Sequence, residues 1–499
     1  MRCEPRIQSD IHVYPTPKLN MRFLIALFAG LSALLPLAPA AAQSTRLPAP
    51  VVQALVQTGI PETSAAIYVH EIGAEQPIIA HGADRPLNPA STMKLVTTYA
   101  ALDLLGPAYV WNTEVYITGT LQQGVLNGDL ILKGHGDPKL TLEDFWLLLR
   151  NLRDRGIREI RGDLLLDHSY FDAAGYDPAR FDDQPTRPYN TGPDALLVNF
   201  KAVALLFVPN RDARTVKILA VPALPQVQVV NNLTLTNGAC GDWVARLKLE
   251  AQGNGDAARL AFNGTYSWDC GEKTRSFSVL GHRQYLGGLF VQLWKELGGT
   301  FTGSVRYGEV PPDARLLTGT KSETLAEIVR SINKFSNNVM ARQLFLTLGA
   351  AGAEPPATFD KANQSLRLWL SGKGLSFPEL VIENGSGLSR IERISARNLG
   401  QLLLSAFRSP MMPELMASLP LAAVDGTMKK RLNGAGVSGQ AHIKTGSLEG
   451  VRAIAGYVLN SQGRRLVVVF IVNHPNAGNA QAAQDALLKW VYSGEGVRR

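Results

Sequence analysis

The sequence predicts a mixed α/β (α+β) fold in which an antiparallel sheet is covered by helices and interrupted by inserted β-rich domains. Two observations place the sheet: a pair of apolar runs between residues 64 and 82, and a series of strand-like runs between residues 441 and 475. A third observation predicts the insertions. Polar motifs near Lys94 and Ser336 are 242 positions apart, far more than one helical cluster needs.

The first unit combines a strand pair with a helix. SAAIYVHEI and QPIIAHG predict the strands, and Asn88-Pro89-Ala90 leads into a helix that begins near Ser91. Its apolar stripe is expected at Met93, Val96, Tyr99, Ala100 and Leu104. Ser91 and Lys94 are spaced i and i+3, so they share one face of this helix, with the serine at the helix N-terminus. A serine hydroxyl with an amine in reach is a workable nucleophile site.

A second S-x-x-K pattern, Ser331 to Lys334, occurs in a less suitable setting. KSETLAEIVRSINKF predicts an amphipathic helix whose buried stripe is Leu325, Ile328, Val329, Ile332 and Phe335. Ser331 and Lys334 then fall on the polar side, near the C-terminal end, where the helix dipole opposes an oxyanion. We therefore predict that Ser331 is an ordinary surface or boundary serine.

The segment NNVMARQLFLTLG predicts another helix directly after the first. Ser336 and Asn338 lie at the junction of the two helices, where side chains can turn into a cleft. The alternative interpretation of Ser336 is a plain helix N-cap. A further segment, GSGLSR at 385–390, predicts a tight turn close to the same cleft.

The C-terminal part predicts consecutive strands and a closing helix. AHIKTGSLEGVRAIAGYVLNSQGRRLVVVFIVNHP contains a turn at Asn460 to Gly463, and Lys444-Thr445-Gly446 lies at the end of its first strand. The last helix has an apolar stripe that can pack on the sheet, made of Ala483, Leu487, Trp490 and Val491.

We expect four parts along the chain. Residues 1–42 form a leader and signal peptide, and residues 43–114 form the first part of a catalytic domain. In residues 115–284, strand-like runs alternate with turn-rich stretches, and we expect this region to form two inserted domains, one nested in the other. Residues 285–499 form the second part of the catalytic domain.

Composition and the N-terminus indicate an exported globular protein. With 45% hydrophobic and 18% charged residues, the chain is neither disordered nor collagen-like. Met21-Arg22 opens FLIALFAGLSALLPLAPAAAQS, a signal-peptide pattern with cleavage near Ala42. Pro36 and Pro39 interrupt its apolar stretch, which argues against a membrane span. We predict a periplasmic protein without a transmembrane anchor and with at most peripheral membrane association.

Removal of the leader takes away four basic and two acidic residues, so the net charge falls from +8 to +6. Without a long Lys/Arg run, this charge does not indicate nucleic-acid binding. Attraction to an anionic wall polymer or membrane surface and a merely solvated basic surface both remain open. The eight histidines show no H-E-x-x-H or other paired spacing. No metal or other cofactor is therefore expected, and His135 and His442 are interpreted as structural.

The leader also removes Cys3, which leaves Cys240 and Cys270, thirty residues apart. In an exported protein a disulfide is the default, and two buried free thiols are the alternative. On the chain-entropy model, closing such a loop stabilises the fold by roughly 3 to 4 kcal/mol.

Three motifs occur in a characteristic order: STMK at 91–94, SNN at 336–338 and KTG at 444–446. Such a set is the signature of penicillin-binding proteins and class A β-lactamases. The chain resembles the class C low-molecular-mass penicillin-binding proteins, the DacB-type D-alanyl-D-alanine carboxypeptidase/endopeptidases. The resemblance covers nearly the whole mature chain and includes four further segments: LKGHGDPKLT (132–141), GDLLLDHSYFD (162–172), ENGSGLSRIERIS (383–395) and VDGTMKKRL (424–432).

The resemblance implies a penicillin-binding/serine β-lactamase-like catalytic domain and assigns roles that the chemistry supports. Ser91 would attack the scissile carbonyl of a D-Ala-D-Ala peptide after Lys94 takes its proton. Ser336 would relay a proton to the departing D-Ala, and Asn338 would hold the peptide. Asn337 stands where the generic signature has Asp, a position that is not expected to do chemistry.

The third motif is expected to bind the substrate. Lys444 would stabilise the terminal carboxylate and help to lower the pKa of Lys94, and Thr445 would hydrogen-bond the same carboxylate. Gly446 belongs to the same triplet. The backbone N–H groups of Ser91 and Ser447 would form the oxyanion hole. Asp172 is our candidate for contact with the substrate side chain.

The expected partners are peptidoglycan stem peptides, and β-lactams should act as acylating inhibitors. Two other functions remain open. A serine β-lactamase would need an efficient deacylating base, but no E-x-x-L-N signature is present. A catalytically inactive muropeptide-binding protein would not need the complete polar set that the three motifs supply.

Overall fold

The structure is a computed structural model of the chain and describes residues 46–495. The predicted signal peptide lies outside the described residues. Over this range the chain forms eleven α-helices, numbered α1 to α11 in chain order: Ala49–Gln57, Lys94–Leu105, Leu142–Asp154, Trp243–Arg246, His282–Glu296, Leu325–Phe335, Asn338–Gly352, Phe359–Gly372, Ala396–Arg408, Met412–Ser418 and Gln481–Ser493.

The same range forms 22 strands, numbered β1 to β22 in chain order: Ala65–Glu71, Ile79–His81, Pro86–Leu87, Asn112–Ile117, Thr120–Gln122, Val125–Asn127, Leu130–Gly134, Glu159–Ile160, Leu164–Asp167, Val203–Asn210, Thr215–Val221, Val227–Thr236, Leu249–Gly253, Ala258–Ser267, Lys273–Phe277, Thr300–Phe301, Val305–Tyr307, Arg315–Lys321, Ile394–Ser395, Ala441–Leu448, Val451–Leu459 and Arg465–Asn473.

Five strands from the two ends of the described chain form one antiparallel sheet in the order β2-β1-β22-β21-β20. Successive residues of β22 face two different apolar cores, since Val467 and Val469 pack with α2, α7 and α9, while Val468 and Phe470 pack with α1 and α11. A strand buried on both faces needs an almost continuous apolar sequence, and RLVVVFIVN supplies it. The predicted strand pair, C-terminal strands and closing helix are confirmed.

A third large core lies among the remaining strands. The sheets β17-β9-β7-β4-β18 and β16-β8-β6-β5 share it with helices α3 and α5 and with the smaller sheets β11-β10-β15 and β12-β14-β13. The division of the chain into domains stays a prediction. Strands β17 and β18 lie after residue 284 but pair with β9 and β4. This pairing favours an end of the inserted region near Lys321.

Cys240 and Cys270 form a disulfide with their Cα atoms 4.6 Å apart, as predicted. It lies beyond the ends of β12 and β14, which pair in parallel over ten residues. Within residues 46–495, no helix combines the length and the apolar character required to cross a bilayer.

Two predicted apolar stripes are wrong at their ends. Leu104 is 47% exposed at the end of α2, and Phe335 is 71% exposed at the end of α6. Lys334, predicted on the polar side of α6, is instead buried. The physical reason is the segment 424–428, which packs on this end of the helix. Its Asp425 Oδ2 accepts a hydrogen bond from Lys334 Nζ at 2.6 Å.

Candidate active site

Ser91 lies in a tight turn, Ala90–Met93, that leads directly into α2. Ala90 has a positive φ of 46°, a backbone conformation that is uncommon for a residue with a Cβ. The Asn88 side chain holds the turn by accepting from the Ala90 N–H at 2.9 Å, while the Asn473 side chain accepts from the Asn88 N–H at 2.8 Å. The turn is thereby fixed to the last residue of β22.

The Lys94 amine lies at the centre of the polar cluster. Its Nζ is 3.0 Å from Ser91 Oγ and 2.6 Å from Asn338 Oδ1, and it also hydrogen-bonds the Ser386 carbonyl oxygen. Lys94 is fully buried. Burial lowers the pKa of Lys94 well below its usual value, and the nearby Lys444 charge lowers it further. The predicted electrostatic effect of Lys444 is present, but burial is the larger cause.

Ser336 connects α6 to α7 in the left-handed conformation, with φ 56° and ψ 39°. The N-cap of α7 is Asn337, whose side chain accepts from the Met340 N–H at 3.1 Å. The alternative interpretation of Ser336 as an N-cap is therefore wrong. The left-handed turn directs Ser336 Oγ to within 2.9 Å of Lys444 Nζ. It also begins α7 at Asn338, whose side chain contacts Lys94.

Lys444 lies on β20, the edge strand of the five-stranded sheet. Its Nζ donates to Ser336 Oγ and, at 2.8 Å, to the Thr445 carbonyl oxygen. Burial lowers the pKa of Lys444 to about 7. The Thr445 hydroxyl is 2.7 Å from the Thr427 hydroxyl, which belongs to the segment held by the Lys334–Asp425 ion pair.

Gly446 allows β20 to approach the Ser91 turn. A Cβ at this position would lie 2.7 Å from the Pro89 carbonyl oxygen and 3.0 Å from the Ser91 nitrogen, so any side chain would force the two segments apart. Glycine is thus required by the close backbone contact.

The backbone N–H of Ser447 points away from β21, on the outer side of the edge strand β20. In an antiparallel pair, backbone N–H and C=O groups of alternate residues point away from the neighbouring strand. On β20 the Ala441 carbonyl accepts from Ala422 N–H and Ile443 N–H donates to Pro420, both away from β21. The N–H of Ser447 continues this alternation, and so it points outward beside the Ser91 turn.

The structure therefore brings Ser91, Lys94, Ser336, Asn338 and Lys444 together and leaves Ser331 outside the cluster. Sequence reasoning missed the contact of Lys94 with the Ser386 carbonyl. A signal for it existed, because GSGLSR was predicted to form a tight turn near the cleft. Gly385 and Gly387 have φ values of 70° and 77°, as such a turn requires.

Asp172 lines a separate cavity of about 410 Å³. Charged and aromatic side chains surround it, including Tyr176, Arg180, Phe181, Glu383 and Arg390. Two residues of the segment 383–390, Asn384 and Leu388, also line this cavity. The same segment supplies the Ser386 carbonyl to Lys94, so one loop borders both the polar cluster and the cavity.

Comparison with known proteins identifies the family and the fold. Residues 47–493 match the D-Ala-D-Ala carboxypeptidase 3 (S13) peptidase family. The chain belongs to this family. It is a serine-peptidase-type hydrolase, and the resemblance deduced from the three motifs is confirmed.

Two relatives illustrate the similarity. The D-alanyl-D-alanine carboxypeptidase DacB of Haemophilus influenzae is 26% identical over 426 residues, covering 85% of this chain and 88% of the relative. A D-alanyl-D-alanine carboxypeptidase of Actinomadura sp. is 30% identical over 445 residues, covering 85% and 80%. Both relatives are named D-alanyl-D-alanine carboxypeptidases, in agreement with the description of the family.

The fold is also that of a solved relative. The crystal structure of penicillin binding protein 4 (dacB) from Haemophilus influenzae matches with a TM-score of 0.74 and 26% identity, over 89% of this chain and 99% of that chain. Its complex with a β-lactam matches with a TM-score of 0.72. The predicted penicillin-binding fold of mixed helices and sheets is confirmed.

Proposed function

We propose that this enzyme hydrolyses D-alanyl-D-alanine bonds of peptidoglycan stem peptides through an acyl-enzyme on Ser91. The observation that supports the proposal most directly is the position of Lys94 Nζ, 3.0 Å from Ser91 Oγ in a buried site. A lysine can act as a general base near neutral pH only if its pKa lies far below about 10.4. Burial acts on the pKa of Lys94 in that direction.

Acylation begins when neutral Lys94 accepts the Ser91 hydroxyl proton. Ser91 Oγ then bonds to the carbonyl carbon of the penultimate D-Ala, and the carbonyl oxygen becomes an oxyanion. The Ser91 and Ser447 N–H groups would stabilise that oxyanion. Loss of one such donor typically costs about 3 to 4 kcal/mol of transition-state stabilisation.

Collapse of the tetrahedral intermediate breaks the C–N bond and needs a proton on the departing amine. Ser336 Oγ can donate it and take a replacement from Lys444 Nζ, which is 2.9 Å away. The proton taken up by Lys94 passes through solvent to Lys444, so both amines return to their starting protonation states. Water then attacks the acyl carbon with neutral Lys94 again as the base. Lys94 passes that proton to Ser91 Oγ as the acyl–oxygen bond breaks, which releases the shortened peptide and restores the Ser91 hydroxyl. Asn338 would hold the peptide amide during these steps.

Lys444 and Thr445 would bind the terminal carboxylate of the substrate. The ammonium form of Lys444 is costly because the side chain is buried and its protein partners are the neutral oxygens of Ser336 and Thr445. A bound carboxylate would favour the charged form by direct attraction. The same groups would bind the carboxylate of a β-lactam, which would then acylate Ser91.

The cavity lined by Asp172 supports a subsite for the side chain of the stem peptide. Its carboxylates, Asp172 and Glu383, suit a cationic side chain, and Arg390 suits an anionic one. We further propose that the enzyme is exported to the periplasm and that it cleaves peptide cross-links as an endopeptidase.

The test is acylation by labelled penicillin followed by peptide mapping. The adduct should lie on the STMK peptide, and Ser91→Ala should abolish it. Ser331→Ala is the matched control, since it alters the other S-x-x-K serine, and it should retain activity within about twofold. An adduct on the SINKFSNN peptide would contradict the proposal.

Release of D-Ala and cleavage of cross-links are measured on purified uncross-linked and cross-linked muropeptides. Rapid turnover of penicillin would instead favour a β-lactamase. Absence of any product from either muropeptide would favour the inactive binding protein.

A further inference from the structure

A buried loop, residues 383–389, lies directly against the Ala90–Met93 turn, which carries the nucleophile, and against α2, which carries the base. Besides the Ser386 contact with Lys94, the Gly385 carbonyl accepts from the Thr97 hydroxyl at 2.7 Å. A Cβ on Gly387 would lie only 2.0 Å from the Ala90 carbonyl oxygen. Backbone groups of the loop therefore make these contacts, and the path of the loop backbone determines where the Ser386 carbonyl points.

Glu392 holds this loop from behind. Its side chain is fully buried, and its Oε1 accepts from the Glu383 N–H at 3.0 Å and from the Asn384 N–H at 3.1 Å. The Asn384 side chain in turn accepts from the N–H of Ser386 at 3.0 Å and from its hydroxyl at 2.6 Å. A continuous series of hydrogen bonds thus runs from Glu392 through Asn384 to Ser386 and Lys94.

The Ser386 carbonyl helps to determine which part of the neutral Lys94 amine, an N–H group or the lone pair, is directed at Ser91. A neutral amine has two N–H groups and one lone pair. The Ser386 carbonyl oxygen and Asn338 Oδ1 can only accept hydrogen bonds, so they engage the two N–H groups. Ser91 Oγ carries the one proton that can be donated to the amine. The lone pair of Lys94 is therefore directed at Ser91.

We propose that Glu392 is a positioning residue for the general base: it fixes the loop 383–389 so that the Ser386 carbonyl directs the Lys94 lone pair at Ser91. This inference rests on the proposed function, in which Lys94 deprotonates Ser91. Glu392 does not touch the reacting atoms. The Glu383 and Asn384 N–H groups both donate to the same oxygen, Oε1, so the side-chain carbonyl oxygen of a glutamine can accept both hydrogen bonds.

The alternative is that Glu392 acts on Lys94 only through its negative charge. Two substitutions separate position from charge. Glu392→Gln keeps the accepting oxygen in place and removes the charge, while Glu392→Asp keeps the charge and withdraws the oxygen by one methylene. The measurements are the rate of acylation by labelled penicillin from pH 6 to pH 9 and the melting temperature of each variant.

If Glu392 positions the loop, Glu392→Gln retains acylation within about threefold and Glu392→Asp slows it about 10- to 100-fold across the pH range, as expected for a displaced base. Hydrogen exchange of residues 383–389 should quicken in Glu392→Asp only. The opposite order, with Asp active and Gln slow, would overturn the proposal. A Glu392→Asp variant that is folded and fully active would do the same.

Asp167→Ala serves as the matched control for stability. Asp167 is also a buried carboxylate that accepts from two backbone N–H groups, those of Ser169 and Val310, but it lies on β9. The Asp167→Ala variant should have a lower melting temperature but an unchanged rate of acylation.

If Glu392→Asp does not fold, Asn384→Ala takes its place in the experiment. A folded Asn384→Ala variant that is acylated at the full rate would refute the proposal. If the proposed function itself were wrong, the Ser91→Ala variant would still be acylated by penicillin. If only the role of Glu392 were wrong, Ser91→Ala would not be acylated.

Discussion

The Lys444 ammonium should destabilise the fold in a way that depends on pH. Its pKa falls to about 7 in the folded protein because it is buried, whereas the reference value is 10.5. Between these two values the unfolded chain binds more protons than the folded one, so the stability contributed by this residue rises with pH. The destabilisation by Lys444 is greatest below the pKa that this residue has in the folded protein. It disappears as the pH rises above the pKa of Lys444 in the unfolded chain.

The magnitude follows from the shift. Keeping Lys444 buried at pH 7 costs about 4 kcal/mol, and this cost falls by about 2 kcal/mol between pH 7 and pH 9. Lys444→Met removes the cost but also loses the hydrogen bonds to Ser336 and Thr445, about 1 kcal/mol each. We expect Lys444→Met to be about 2 kcal/mol more stable than the unaltered enzyme at pH 7, with no gain at pH 9. It should lose D-Ala release by orders of magnitude.

The assay is urea unfolding at pH 7 and pH 9 with the disulfide intact. Lys334→Met is the matched control, because Lys334 is also buried but has a carboxylate partner in Asp425. That control should lower stability at both pH values, since it leaves the Asp425 carboxylate unpaired. If Lys444→Met were less stable than the unaltered enzyme at pH 7, or gained the same stability at both pH values, the reasoning would be wrong.

Three further predictions concern the site and the disulfide. Lys94→Ala should abolish acylation of Ser91 by penicillin, because it removes the amine that lies 3.0 Å from the serine oxygen; full activity would refute the mechanism. Gly446→Ala should slow the same acylation by at least about tenfold, since the added methyl group meets the backbone of the Ser91 turn; an unchanged rate would show that the turn can yield. Alkylation of the exported protein under denaturing, non-reducing conditions should leave Cys240 and Cys270 unlabelled, whereas two labelled thiols would contradict the disulfide.

The sequence predicted the sheet and its helices wherever a residue pattern repeats over a whole element. It failed at helix ends. Phe335 continues the spacing of the apolar stripe on α6, yet it is exposed. Lys334 is instead buried against Asp425, which lies 91 residues further along the chain. Periodicity describes one helix face and contains no information about which distant segment covers its last turn.

The sequence by itself determined the reacting groups: the order of STMK, SNN and KTG indicated the family and the nucleophile, because these residue types and spacings are what acyl transfer requires. Tertiary structure alone decided how those groups act. Burial of Lys94 and Lys444 lowers their pKa values, and the Ser386 carbonyl reaches Lys94 across 292 positions of sequence. Desolvation and hydrogen-bond direction depend on the packing of segments far apart in the chain, so no local pattern can encode them.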